Sequence, residues 1–145
     1  MSKKIILKKE YGTRSFARKI AEKTIREKKK TVIIALIGDL GVGKTTFVQE
    51  FGKALGIRKR ILSPTFLLLK RFELSPKTGF ANLYHIDAYR AGVKDFEDLG
   101  IKGIFAGNNI VLIEWADRIK KLLPRQTAWL KFKHINENER EVIVG

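Results

Sequence analysis

The chain contains no cysteine and no long apolar run. Without cysteine, disulfide bridges and thiolate metal sites are excluded, which suits a reducing compartment. A membrane-spanning helix needs roughly 20 consecutive apolar residues, and no segment approaches that length. Near the start only Ile5, Ile6 and Leu7 are apolar in succession, which is too few for the core of a signal peptide. We therefore expect a cytoplasmic protein with no membrane partner.

Acidic residues are scarce relative to basic ones, because 15 Asp and Glu stand against 30 Lys and Arg. The formal net charge of +15 favours contact with polyanions such as nucleic acid, since bound Lys and Arg release counterions from phosphates. The alternative is a solvated surface without a partner. Short basic runs such as Arg58 to Arg60 are spread along the chain and are not interleaved with aromatic residues. Composition leaves both interpretations open.

Internal repeats, low-complexity tracts and linkers rich in Pro or Gly are also absent, so we expect one domain over residues 1–145. Apolar periodicity predicts a strand at 31–37 that is buried on both faces. It also predicts an amphipathic helix at 13–30, with Thr13 as its N-cap. The other predicted elements are strands at 3–9, 65–74, 80–90, 127–135 and 140–144, a strand within 108–119, a helix at 45–55, and helical pieces at 93–101 and 103–107.

Two of these strands, 65–74 and 80–90, are separated only by the turn-rich segment 75–79. Strands joined by so short a connector form an antiparallel pair. Most other strands alternate with helices, as in units with parallel strands. The order of elements therefore predicts an α/β fold with a mixed, mostly parallel sheet, helices on both faces and antiparallel hairpin additions.

Residues 38–45 read GDLGVGKT and match the pattern G-x-x-x-x-G-K-[ST] at every fixed position. Glycines allow successive backbone N–H groups to turn inward around a phosphate chain, and the following helix adds the positive end of its dipole. In this pattern Lys44 reaches the β- and γ-phosphates and the Thr45 hydroxyl binds Mg²⁺. A strand before the loop and a helix after it are the context that the motif requires. The sequence thus predicts a single-domain P-loop NTPase.

Neither an N-K-x-D nor a D-x-x-G element follows the loop, which favours ATP over GTP. Hydrolysis also needs a carboxylate near the metal, typically at the end of an apolar strand beside the loop strand. Glu114 follows four apolar residues, and Asp87 ends another strand with His85 two residues earlier on the same face. One carboxylate can hold the metal while the other orients the attacking water.

Each of these residues has an alternative role. Glu114 is otherwise an exposed charge at a strand end, and Asp87 is otherwise the ion-pair partner of Arg90. A lone histidine on a strand, such as His85, is more often a packed or hydrogen-bonded core group than a catalyst. Trp115 either packs in the core or stacks on a nucleotide or a partner.

Thr65 lies in the segment 62–66, which follows the helix after the glycine loop. This is where nucleotide-sensitive switch segments occur, and Pro64 would fix the turn. A plain connector between a helix and a strand is an equally good interpretation.

Several separated stretches together resemble the TsaE family of small bacterial P-loop ATPases. They are GDLGVGKTTFVQEFGKALGI, SPTF, YHIDAYR, DLGI and IVLIEWADRI followed by LP, in this order. The glycine loop is common to many NTPases, but its combination with S-P-T-[FY], H-x-D-x-Y-R and I-E-W is highly specific. Val42 stands where alanine is usual in the family, and we expect its side chain to face outward from the loop and to be tolerated.

The resemblance implies an ATPase that supports threonylcarbamoylation of adenosine 37 in transfer RNA. Its implied partner is a TsaB–TsaD-type complex, so that tRNA is met indirectly, and its cofactors are ATP and Mg²⁺. It also implies residue roles. It assigns phosphate binding to Gly38, Gly41, Val42, Gly43, Lys44, Thr45 and Thr46. It assigns Mg²⁺ binding to Thr45 and Glu114, and catalysis to Lys44, Asp87 and Glu114. It also places Ser63 and Thr65 in a switch, and Glu10 to Thr13 at the border of the adenosine.

Two other functions stay open. A small-molecule kinase on the same loop would need an arginine-rich lid and an acceptor pocket, and no segment after Thr46 clusters arginines in that way. A non-enzymatic protein would use ATP only to set a binding conformation. Because regulated ATPases often need a partner to complete the site, we expect slow hydrolysis by the isolated chain.

Overall fold

The structure is a computed structural model that describes residues 2–39, 41–62 and 68–145. Its strands are β1 (Lys3–Lys8), β2 (Val32–Ile37), β3 (Leu69–Glu73), β4 (Asn82–Asp87), β5 (Asn109–Glu114), β6 (Ala128–Asn136) and β7 (Glu139–Val144). Its α-helices are α1 (Lys9–Glu27), α2 (Lys44–Ala54), α3 (Val93–Asp98) and α4 (Ile101–Ala106). The predicted order of helices and strands is confirmed, with ends shifted by a few residues.

The strands form one seven-stranded sheet in the order β1-β7-β6-β2-β5-β4-β3. The four central strands β6, β2, β5 and β4 are parallel, whereas the pairs β1–β7, β6–β7 and β3–β4 are antiparallel. β2 and β5 are apolar almost throughout, as parallel strands covered on both faces must be. The α/β prediction of a mixed sheet is therefore confirmed, with a parallel centre and antiparallel edges.

Side chains of the central strands alternate between two apolar layers. From β2, Ile34 and Leu36 face the layer that contains α1 and α2. Ile33 and Ala35 face the opposite layer, which contains α3 and α4. Helices thus cover both faces, which is the reason that strands of this sheet centre can be uniformly apolar.

Aromatic contacts hold α2 against its neighbours. Phe47 of α2 is fully buried, and its ring centroid lies 5.8 Å from that of Phe16 of α1 and 6.0 Å from that of Phe132 of β6. Such pairs add to the free energy gained from apolar burial. Because α2 begins at Lys44, immediately after the glycine loop, these contacts also position the end of that loop.

The predicted N-cap at Thr13 is wrong. α1 begins at Lys9, directly after β1, so Thr13 lies inside the helix and is fully buried. The backbone N–H of Lys9 donates to the carbonyl of Asn138 at 2.7 Å, in the turn between β6 and β7. Pairing of the first and last strands therefore sets the start of the helix, without a side-chain cap.

The outward orientation predicted for Val42 is also wrong. Its side chain is 1% exposed and belongs to the apolar layer of α1 and α2. A Cβ built at Gly38 would lie 3.0 Å from Val42 Cγ1, so the absence of a side chain at Gly38 makes room for this inward packing.

The predicted switch residues Ser63 and Thr65 lie outside the described residues. Within the described ranges, no helix combines the length and apolar character needed to cross a bilayer.

Candidate nucleotide site

The loop between β2 and α2 turns through three glycines with positive φ angles. These angles are 144° at Gly38, 74° at Gly41 and 112° at Gly43, a range that L side chains rarely adopt. The carbonyl of Gly43 accepts the first hydrogen bond of α2, from the Phe47 N–H at 2.9 Å. The N–H groups of the first helical turn, with the positive end of the helix dipole, consequently lie at the loop.

Gly38 and Gly41 provide a matched test of this loop. An alanine Cβ at Gly38 would lie 2.7 Å from the backbone carbonyl oxygen of Phe132, whereas at Gly41 it would meet no atom of the described residues within 4 Å. We expect Gly41→Ala to lower the free energy of unfolding by about 1–2 kcal/mol, the cost of a positive φ. Gly38→Ala adds the clash and should cost about 3 kcal/mol or more. Urea unfolding measures both, and equal losses would contradict the close approach to Phe132.

Lys44 is only 4% exposed although it carries a charge. Its ammonium donates to the Gly38 carbonyl and lies 3.6 Å from the centroid of the Trp115 ring. Burial lowers the pKa of Lys44, and nearby carboxylates, foremost Glu114, partly offset that effect. The loop therefore holds a cation where a phosphate chain would lie.

A row of hydrogen bonds connects α2 with two neighbouring strands. The Thr45 hydroxyl donates to Glu114 Oε1 at 3.3 Å, and Glu114 Oε2 lies 2.7 Å from His85 Nε2. Glu114 is 3% exposed and His85 is fully buried. Glu114 is thus not an exposed charge at a strand end, and His85 is a hydrogen-bonded core residue that orients it.

Asp87 lies opposite Glu114 in the parallel register of β4 and β5. Its Oδ1 accepts from the backbone N–H of Tyr89 at 2.9 Å. Burial raises the pKa of Asp87, as does the negative charge of Glu114, while the Tyr89 N–H opposes the rise. No ion pair joins Asp87 to Arg90 within the described part of the chain.

Two residues from the ends of the sequence border the loop. A Cβ built at Gly43 would lie 3.5 Å from Thr13 Cγ2 and 3.6 Å from Arg140 Cδ. Thr13 Oγ1 and Arg140 Nε are buried, and neither has a hydrogen-bond partner in the described ranges. Buried polar atoms are nearly always paired. Arg140 lines the cavity at the loop, whereas Thr13, which is fully buried, is not among the described residues of its lining.

Thr46 joins this border through its hydroxyl, which lies 3.4 Å from Glu10 Oε1. A cavity of about 250 Å³ connects the loop, the two carboxylates and this border. Its lining includes Lys44, Thr45, Thr46, Asp87, Glu114, Trp115 and two residues that sequence reasoning missed, Tyr89 and Arg140.

Tyr89 and Arg140 differ in how they could have been found. The Tyr89 ring lies 4.9 Å from that of Trp115, and Tyr89 is part of the YHIDAYR stretch, which was a usable signal. Arg140 reaches the loop only because β7 pairs with β1, next to the start of α1. No local sequence pattern near Arg140 predicts that contact.

A family model described as "Threonylcarbamoyl adenosine biosynthesis protein TsaE" matches residues 7–142. The chain belongs to the TsaE family. It is 38% identical over 123 residues to the Bacillus subtilis tRNA threonylcarbamoyladenosine biosynthesis protein TsaE, covering 85% of this chain and 75% of that protein. The Rickettsia bellii protein of the same name is 36% identical over 142 residues, covering 97% and 92%.

A solved structure shares the fold of this chain. The crystal structure of Bacillus subtilis YdiB superposes with a TM-score of 0.80 at 29% identity, covering 99% of this chain and 84% of that one.

The donor set of this TsaE-family site fits Mg²⁺ rather than a metal caged by protein. In the described ranges, no group of three or more His, Asp or Glu side chains could hold a metal ion. The candidate ligands are the hydroxyl of Thr45 and the carboxylate of Glu114, whose oxygens lie 3.3 Å apart. Mg²⁺ prefers one or two such oxygen ligands and completes its shell with water and substrate phosphates.

Proposed function

We propose that this TsaE-family chain is a Mg²⁺-dependent ATPase required for threonylcarbamoylation of adenosine 37 in tRNA, acting on a TsaB–TsaD-type transferase complex. The family is named for threonylcarbamoyl adenosine biosynthesis, which supports the pathway. The observation that supports the chemistry best is the row Thr45–Glu114–His85, which lies at the mouth of the glycine loop.

In this proposal, backbone N–H groups from Gly41 to Thr46 bind the phosphates, and Lys44 neutralises charge on the β- and γ-oxygens. Thr45 and Glu114 would hold Mg²⁺, which when bound supplies further neutralisation of the phosphate oxygens. On the other side of the loop, Thr13 borders the adenosine and Arg140 is an additional donor there. The switch role of Ser63 and Thr65 remains a prediction.

Asp87 is proposed as the group that activates water. It accepts a proton as the water oxygen attacks the γ-phosphorus; the bond to the bridging oxygen then breaks, and ADP and phosphate leave. A base acts best when its pKa is near the working pH, so the raised pKa of Asp87 supports this role. The buried contact to His85 keeps Glu114 oriented toward Thr45 instead.

The test is reconstitution with the TsaB- and TsaD-type proteins of the same source. We expect slow phosphate release by the isolated chain, at least about tenfold faster release when the complex is added, and modified tRNA only when this chain is present. Release without a small-molecule acceptor distinguishes the ATPase from a kinase. Rapid turnover by the chain alone, or modification that does not need it, would contradict the proposal.

A further inference from the structure

A second concave surface lies beside the nucleotide site, between α1 and the segment that follows α2. Its volume is about 780 Å³. We call it the basic groove, because the described residues of its lining include one acidic residue, Glu50, and six basic ones. The basic residues are Arg14, Arg18, Lys53, Arg58, Lys59 and Arg60.

The positive charge of the basic groove is only partly compensated. Arg18 pairs with Glu50 at 2.7 Å and Arg14 with Glu10 at 3.4 Å. The other four basic side chains are exposed and form no ion pair within the described part of the chain. Four like charges along one concave wall generate a field that attracts and retains polyanions.

The basic run 58–60 is held in place by the two isoleucines that flank it. Ile61 is 2% exposed and packs so closely on Gly52 that a Cβ at position 52 would clash with Ile61 Cδ1. Gln49 Nε2 donates to the Ile61 carbonyl at 3.0 Å, and the Ile57 N–H donates to the Gly52 carbonyl at 3.0 Å. The three cationic side chains therefore project from an anchored wall, which reduces the ordering cost of binding.

The lining favours a phosphate backbone over a protein surface. Among the described residues of the lining none is aromatic, and the side chain of Ile61 is turned into the core. Protein interfaces have apolar and aromatic centres, whereas interfaces with nucleic acid are polar and strongly positive. Without aromatic rings for base stacking, recognition would be of backbone phosphates in a folded helix, with little sequence dependence.

We propose that the basic groove binds the phosphate backbone of RNA. That the polyanion is RNA, and tRNA in particular, rests on the proposed function; the preference for phosphates rests on the groove alone. Thr46 lines both the groove and the nucleotide cavity. Glu10 accepts from the Thr46 hydroxyl and from Arg14, both at 3.4 Å, so RNA in the groove would lie next to the nucleotide.

The test compares two triple variants of the full chain, each of which loses three positive charges at a different place. The groove variant is Arg58→Gln/Lys59→Gln/Arg60→Gln. The control is Lys28→Asn/Lys29→Gln/Lys30→Gln, in an exposed run at the far end of α1; asparagine is chosen because Lys28 has a φ of 52°. Binding of an unmodified tRNA transcript is measured by fluorescence anisotropy over a series of salt concentrations, without ATP or partner proteins.

At about 100 mM salt we expect the groove variant to raise the Kd at least about tenfold and the control to change it less than about twofold. The slope of log Kd against log salt should fall by about one for each lost phosphate contact. Unchanged urea midpoints would exclude unfolding as the cause. Because ATP is absent, loss of RNA binding and loss of ATP turnover are separate results, and each bears on its own proposal.

Three results would overturn the groove proposal. The wild-type chain could fail to bind the transcript, or the two variants could lose affinity equally, which would reflect net charge alone. Alternatively, the groove variant could keep its RNA affinity; if a separate pull-down then shows lost binding to the TsaB–TsaD-type complex, the groove is a docking surface for an acidic protein.

Discussion

Lys44→Ala is expected to lower the kcat of ATP hydrolysis by about a hundredfold or more, the scale of losing one positioned donor at a developing charge. The ammonium lies in a buried position at the glycine loop, against the Gly38 carbonyl and the Trp115 ring. There its charge acts in a low-dielectric environment, where it is worth far more than in water. The measurement is phosphate release in the reconstituted system, together with the Kd for ATP.

A measurement of the urea midpoint distinguishes this loss of ATP turnover from a loss caused by unfolding. Burial lowers the pKa of Lys44, which means that the folded state pays to keep this group charged. Its removal relieves that cost but also removes the hydrogen bond to Gly38 and the contact with Trp115, so we expect a urea midpoint close to that of the wild type. Lys102→Ala, on the exposed surface of α4 in the opposite layer, is the matched control and should retain full turnover. Full turnover by Lys44→Ala, or a large loss in Lys102→Ala, would refute the assignment of the site.

Glu114→Gln is expected to raise the Mg²⁺ concentration for half-maximal ATP turnover by about ten- to a hundredfold, and to lower kcat as well. Glutamine keeps the size of the side chain but replaces one carboxylate oxygen with an amide nitrogen, which does not bind Mg²⁺. The contact between Glu114 and Thr45 is the basis for this expectation. A Mg²⁺ titration of turnover at saturating ATP measures it.

Asp87→Asn is the informative partner of that variant, since the two carboxylates lie opposite each other in the sheet. If Asp87 activates water, the variant should lose about a hundredfold in kcat while its Mg²⁺ requirement stays close to that of the wild type. A changed Mg²⁺ requirement in Asp87→Asn and an unchanged one in Glu114→Gln would exchange the two roles.

The sequence could predict the glycine loop because all of its parts are contiguous. Positive φ angles, a buried strand before it and a helix after it are local requirements that the residues 31–55 express directly. The position of Glu114 beside the loop was predictable for a related reason. Glu114 ends an apolar strand, and the parallel strands of such a fold end at the same edge of the sheet. The same logic supplied the order of helices and strands, including the hairpin around 75–79.

Contacts between distant parts of the chain could not be predicted from local sequence patterns. The start of α1 depends on a hydrogen bond between Lys9 and Asn138, which a local N-cap pattern cannot reveal. Arg140 reaches Gly43 through pairing of the first and last strands. The orientation of Val42 depends on space left at Gly38. In each case the deciding partner is far along the chain or depends on packing.

The pairing of β4 with β5 limits how this protein can tolerate changes in length. His85 meets Glu114 only because the two strands align in one register, and side chains of a strand alternate between faces. A one-residue insertion in β4 before His85 would rotate the imidazole to the layer of α3 and α4 and leave the glutamate without support. Insertions in the surface connector 75–79 carry no such penalty, so length variation among functional variants should concentrate there and spare the strand.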